Sequence, residues 1–78
     1  MDDTAERIRH IIAEVLFMDD EDVRDDSKLE DLGFTQDAID ELREEIEDEF
    51  GTETSAYDVD NFITVGDVVK FVRTAVEG

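Results

Sequence analysis

Residue types that commonly act as nucleophiles, bases or metal ligands are unevenly represented in this sequence. It contains one histidine, His10, no cysteine, and 25 Asp and Glu residues. Without cysteine, neither a disulfide framework nor a thiolate metal site is available. No serine or carboxylate stands at a recognisable catalytic spacing from His10. We therefore predict that His10 is a surface residue of a helix and that the protein is not an enzyme.

The acidic run from Asp19 to Glu30 has the composition of a calcium-binding loop. With Asp19 at the first position, Val23 falls at the fifth and Arg24 falls where the turn glycine is needed. Val23 has no side-chain oxygen, so the ligand set fails. We predict no built metal site, although divalent cations should associate loosely with so many carboxylates.

A second acidic run, which follows Thr35, has the pattern of an amphipathic helix. Thr35 suits the N-cap because its hydroxyl can accept a hydrogen bond from a backbone N–H of the first turn. Gly51 follows Phe50 directly, as a left-handed C-terminal stop requires. Apolar residues recur between them at helical spacing and form one stripe: Ala38, Ile39, Leu42, Ile46 and Phe50.

The remaining surface of this helix is acidic, with Arg43 as its single opposing charge. The carboxylates predicted to face solvent are Asp37, Asp40, Glu41, Glu44, Glu45, Glu47, Asp48 and Glu49. Carboxylates one helical turn apart repel each other. A solvated face is the simplest interpretation, but this density exceeds what solubility needs and favours the hypothesis of a basic partner surface.

Length and charge restrict the possible partners. Seventy-eight residues predict one domain over 1–78, and the net charge is −18. Nucleic acid and anionic membranes would be repelled, whereas basic protein surfaces would be attracted. No apolar run approaches the ~20 residues of a membrane span, and no signal-peptide pattern is present. We expect a cytoplasmic monomer, folded rather than disordered because its apolar residues are periodic.

The other segments also indicate helices. Asp3 and Glu6 have the spacing of a capping box, and Thr4 is an alternative cap. They precede a first helix that ends near Phe17. Met18 to Phe34 forms a long loop. Ser55 with Asp58 opens a brief helix, and Thr64 with Asp67 opens the last one. The predicted inner face of that last helix is Val65, Val68, Val69, Val72, Ala75 and Val76.

A strand competes for residues 65–72, but Asp67 and Lys70 do not fit its alternation, and we predict a helix. The predicted fold class is all-α. It is a four-helix bundle with three longer helices, one short helix between the second long helix and the last, and a long loop after the first helix.

Residues around the acidic helix resemble the second-helix region of the acyl carrier protein family. They are Glu30-Asp31-Leu32-Gly33, Glu41-Leu42, and Glu47-Asp48-Glu49-Phe50-Gly51-Thr52-Glu53. The resemblance runs from about Ile8 to Val72 and implies the same four-helix, acyl-carrier-protein-like bundle. In that family the Leu-Gly pair is followed by a variable residue and then by Asp-Ser-Leu, whose serine carries 4′-phosphopantetheine.

Here the three places of Asp-Ser-Leu hold Thr35, Gln36 and Asp37, so an amide replaces the attachment hydroxyl. An amide has no comparable nucleophilicity and cannot form the phosphodiester. Thr35 offers the nearest hydroxyl and is a weak alternative, since its oxygen is expected to cap the helix. The sequence therefore predicts no cofactor, and 4′-phosphopantetheine belongs only to the alternative interpretation.

Other departures concern the places that contact the arm or the cargo in the family. Three positions that are apolar in the family are occupied here by Asp37, Asp40 and Glu44, which share one helix face. A fourth such position is occupied by Arg43. An acyl chain would have to pass these charges, which resist desolvation. Thr54 also replaces a large aliphatic residue. The family's acidic docking residues are retained, and the predicted partner-binding set is Asp37, Asp40, Glu41, Glu44, Glu47 and Asp48.

Three hypotheses follow from this pattern. The first is a carrier-fold docking module that binds a basic surface on an enzyme of acyl or related metabolism and carries no arm. The second is an active acyl or aminoacyl carrier in fatty acid or polyketide-type biosynthesis with an unusual attachment site. The third is an acidic module that mimics nucleic acid and occupies a basic cleft.

Overall fold

The fold is built from helices joined by capped turns. The computed structural model describes residues 3–77, except the side chains of residues 56, 57 and 77. The helices are α1 (Thr4–Leu16), α2 (Leu29–Leu32), α3 (Gln36–Phe50), α4 (Ala56–Asp60) and α5 (Val65–Glu77), with a 3₁₀ turn at Asp20–Asp22. The all-α prediction is confirmed. No helix among the described residues is long and apolar enough to cross a bilayer.

The predicted helix count was one too low for residues 3–77. The segment expected to be a long loop contains α2 and the 3₁₀ turn. A four-residue helix such as α2 is too short to show a periodic apolar pattern, and this explains why it was missed. Apolar residues hold this segment on the core, since Val23 and Leu29 are buried while Leu32 and Phe34 pack against it.

The core lies where α1 packs against both α3 and α5. Each of these helices contributes an apolar stripe, and burial of these stripes is the main stabilising contribution. The largest fully buried side chains are Ile8, Ile12, Leu42, Ile46, Val65, Val68 and Val72.

The end of α5 departs from its predicted inner face. Val65, Val68, Val69 and Val72 are buried, but Ala75 and Val76 are exposed. Val76 continues the stripe one turn beyond Val72, so its exposure means that the last turn of α5 extends past the elements on which the helix packs.

Side chains cap the starts of α3, α4 and α5, whereas α1 and α2 have no side-chain cap. The Ser55 hydroxyl accepts from the Asp58 N–H while the Asp58 carboxylate accepts from the Ser55 N–H, as predicted. Thr64 and Asp67 make the same reciprocal pair. The capping box predicted at Asp3 is wrong, because its side chain makes no cap hydrogen bond and instead lies 3.9 Å from Arg7.

Backbone pairing holds the α1–α3 connection against the start of α5. Leu29 N–H donates to the Ile63 carbonyl, and Val65 N–H donates to the Ser27 carbonyl. Gly66 N–H reaches the Asp25 carbonyl at 2.8 Å. A Cβ at Gly66 would lie 3.1 Å from that oxygen. A side chain at this position would require the Asp25 backbone to move by a few tenths of an ångström, so glycine suits this close approach.

Phe17 ends α1 in an unfavourable conformation, and we predict that Phe17→Gly stabilises the protein. Its φ is 57°, and its side chain is 97% exposed. Glycine relieves the left-handed strain while little packing is lost, so the free energy of unfolding should rise by about 0.5–1 kcal/mol in chemical denaturation. Phe17→Ala is the control because it keeps the Cβ. Equal stability of the two variants would contradict the strain.

Candidate functional site

The candidate attachment position lies at the start of α3. Thr35 has extended backbone, with φ −100° and ψ 173°, and its hydroxyl accepts a 3.2 Å hydrogen bond from the Ala38 N–H. This confirms the predicted N-cap. Gln36 is the first helical residue and is exposed. Gly33, with φ 96°, ends α2 and turns the chain towards this point.

The side chains at this position do not fit a phosphopantetheine ester. Gln36 presents an amide where the ester needs a hydroxyl oxygen. Thr35 is exposed, but its hydroxyl oxygen already accepts the Ala38 N–H, so modification there would disturb the cap of α3.

The acidic face of α3 is the second candidate feature. Five of the six predicted partner-binding carboxylates are exposed: Asp37, Asp40, Glu41, Glu44 and Asp48. An open depression of about 460 Å³ on this face is lined entirely by acidic residues, namely Glu44, Glu45, Glu47 and Asp48. The geometry offers closely spaced negative charge without a metal-binding arrangement. Within residues 3–77, no group of three or more His, Cys, Asp or Glu side chains is placed to hold a metal ion.

Glu47, the sixth carboxylate, is tied into the fold. Its side chain was predicted to face solvent, but it is half-buried and accepts hydrogen bonds from the Thr54 N–H at 2.8 Å and the Thr54 hydroxyl at 3.2 Å. The backbone N–H of Thr54 lowers the pKa of Glu47, and the Thr54 hydroxyl and the charge of Arg43 act in the same direction. Thr54, which is buried, thus positions the loop after α3.

Arg43, the single cationic residue of α3, is only partly accessible to solvent. Its side chain is half-buried, and its Nε atom is buried without a hydrogen-bond partner among the described residues. Arg43 stands where the resemblance places an apolar residue. A guanidinium therefore takes the place of the apolar side chain that the resemblance implies, and its charge resists desolvation.

Glu49 also departs from the predicted solvated face. Its carboxylate accepts hydrogen bonds from Arg7 Nε at 3.0 Å and from Arg7 Nη2 at 2.6 Å. The Arg7 guanidinium lies 4.5 Å from the centre of the Phe50 ring. This contact joins α1 to the end of α3. Its partners are 42 residues apart, so no local pattern could have identified it.

His10 is exposed, as predicted, and two carboxylates lie beside it. Its Nδ1 lies 3.0 Å from Asp20 and its Nε2 lies 3.2 Å from Glu14. The Asp20 hydrogen bond raises the pKa of His10, and the negative charges of both carboxylates add to this effect. Glu14 stands four residues after His10, a spacing that the sequence did offer as a signal.

One comparison with known proteins bears on this site. A family model described as a phosphopantetheine attachment site matches residues 6–72. The match spans most of the chain, including both ends of α3 and the position held by Gln36.

We predict that Glu47→Ala lowers the thermal unfolding midpoint near neutral pH, because it removes the acceptor of both Thr54 hydrogen bonds. Since the folded-state pKa of Glu47 is lowered, its contribution is present above the unfolded-state pKa and is lost as pH falls through the folded-state pKa. The difference in unfolding midpoint between Glu47→Ala and the original protein should therefore disappear at acidic pH.

Glu44→Ala is the matched control for this prediction, since Glu44 is exposed on the same helix. It should leave the midpoint unchanged or raise it, because it removes repulsion without removing a hydrogen bond. Equal effects of the two substitutions, measured by circular dichroism over a pH series, would contradict the structural role of Glu47.

Proposed function

This chain belongs to the phosphopantetheine-attachment family of acyl carrier domains, and we propose that it is a docking module that works without the arm. Carrier domains are not enzymes; they interact with the enzymes of acyl metabolism. In the proposed role, the acidic face of α3 binds a basic surface on such an enzyme. The chain would then recruit, regulate or support its partner instead of delivering cargo.

The observation that carries the docking proposal is the unpaired charge of α3. Asp37, Asp40, Glu41, Glu44 and Asp48 are exposed, and none makes an ion pair with another described residue. Such charges raise the rate of encounter with a basic surface and disfavour acidic partners. Glu47 contributes charge to the same face while it also holds Thr54.

The proposal that the arm is absent is supported by chemistry at the head of α3. Gln36 offers no attachment oxygen, and the Thr35 hydroxyl caps the helix. Asp37, Asp40 and Glu44 then place charge along the path that a cargo would take. An alternative function keeps Thr35, which is exposed and directly precedes Gln36, as an unusual attachment site.

Intact-mass measurement tests whether the arm is present. We expect no phosphopantetheine increment after co-expression with a phosphopantetheinyl transferase, because position 36 lacks a hydroxyl. Gln36→Ser is the positive control, and its modification would show that the transferase recognises this chain. An increment on the original protein that disappears in Thr35→Ala would instead establish the alternative carrier.

Charge reversal tests the docking face. We expect Asp40→Lys with Glu44→Lys to abolish salt-sensitive capture of a host enzyme by the immobilised protein, because these exposed carboxylates share one face of α3. Glu21→Lys with Asp26→Lys gives the same change in net charge at exposed residues outside α3.

Equal loss of capture in both double variants would contradict a localised docking face. The competitor that releases the captured protein separates the remaining hypotheses. Release by a conventional carrier protein supports docking on a carrier-binding enzyme. Release by DNA would support the nucleic-acid-mimic function.

A further inference from the structure

An apolar groove lies between α4 and α5, away from the acidic face. It has a volume of about 420 Å³, and its lining includes Asp58, Phe62, Asp67, Lys70, Phe71 and Ala75. The Phe62 and Phe71 rings meet edge to face, with centroids 5.4 Å apart and planes inclined by 62°. Both rings are only half-buried, so the groove presents aromatic surface to solvent.

Local hydrogen bonds order the backbone on both sides of Phe62. Asp58 accepts from Ser55 at the start of α4, and Asp67 accepts from the N–H groups of Ile63 and Thr64 at 3.0 Å each. These bonds fix both ends of the segment that carries Phe62. A preformed groove binds without the cost of ordering its walls.

Two exposed apolar side chains are sequence neighbours of groove-lining residues. Ile63, which follows Phe62, is 63% exposed, and Val76, which follows Ala75, is 55% exposed. Among the described residues, the exposed large apolar side chains are these two and Phe17, which follows α1. Neither of the two sequence neighbours lines the groove, whose own apolar surface comes from Phe62, Phe71 and Ala75 and is of the kind typical of an interaction site.

Charge determines which occupant suits this groove. The protein carries −18, so a second copy would be repelled, as would nucleic acid and anionic lipid. Asp58 and Asp67 place negative charge in the lining, with Lys70 as the cation beside them. A basic segment that presents an apolar side chain satisfies both the charge and the aromatic surface.

We propose that the α4–α5 groove is a docking site for an apolar side chain carried on a basic segment of a partner protein. The apolar side chain packs on Phe62 and Phe71, while flanking cations are attracted by the net negative charge of the surface. This inference goes beyond the proposed docking on α3, because none of the groove-lining residues belongs to that helix.

Two synthetic peptides test the proposal by NMR titration of the ¹⁵N-labelled protein. Both are lysine-rich and of equal length, and they differ only in a central leucine that is replaced by serine. The leucine peptide should shift the amide signals of Phe62, Lys70, Phe71 and Thr74. The serine peptide should bind at least about tenfold more weakly at these signals, since it lacks the apolar anchor.

Ala75→Arg and Val76→Arg form a matched pair of variants. Both add one positive charge at exposed residues of the last turn of α5, but only Ala75 lines the groove. Ala75→Arg should weaken the leucine peptide about tenfold at the groove signals, whereas Val76→Arg should change its affinity by less than about twofold. Circular dichroism checks that both variants are folded.

Three results would overturn the proposal. One is a leucine peptide that shifts only signals on α3. Another is binding that does not depend on the apolar contact, seen either as equal affinity of the leucine and serine peptides at the groove signals or as equal weakening by both variants. The third is sedimentation as a dimer in which Ala75→Arg restores the monomer, because a second copy would then be the occupant.

Discussion

Mutual repulsion among carboxylates is the constraint on which this structure depends. A chain of 78 residues carries a net charge of −18, and α3 concentrates that charge on one surface. Repulsion opposes compaction, so the apolar contacts of α1, α3 and α5 must exceed it. Burial of Ile8, Ile12, Leu42 and Ile46 joins α1 to α3 despite the acidic surface of α3.

The fold stabilises several carboxylates with backbone N–H donors, which matters in a chain that has only seven Lys and Arg residues. Asp58 and Asp67 accept from N–H groups at helix starts, where the helix dipole also favours negative charge. Glu47 and Glu49 lie near the C-terminal end of α3, where the dipole opposes them. Thr54 and Arg7 bind these two carboxylates and offset that effect. Among residues 3–77, the exposed carboxylates Asp37, Asp40, Glu41, Glu44 and Asp48 form no ion pair with another residue.

Features set by neighbouring residues could be predicted from the sequence. Thr35, Gly51 and the Ser55–Asp58 pair were identified because a cap or stop depends on residues within one turn. The Glu47–Thr54 and Arg7–Glu49 contacts were missed because they join segments that only the folded chain brings together. The α4–α5 groove was missed for the same reason, because Phe62 precedes α5 and Phe71 lies within it, and only the fold brings their rings together. At the candidate site, the sequence identified the amide at position 36 and five exposed carboxylates, but not the structural role of Glu47.

The thermal unfolding midpoint in low salt, followed as sodium chloride or magnesium chloride is added, tests the central claim most directly. If the face of α3 holds unpaired charge, the midpoint should rise with either salt, because screening relieves the repulsion. A variant with Asp40→Asn and Glu44→Gln should have a higher midpoint in low salt, and its midpoint should rise less when salt is added. A midpoint that salt leaves unchanged, with the same value in that variant, would show that these charges are already compensated and would contradict the account.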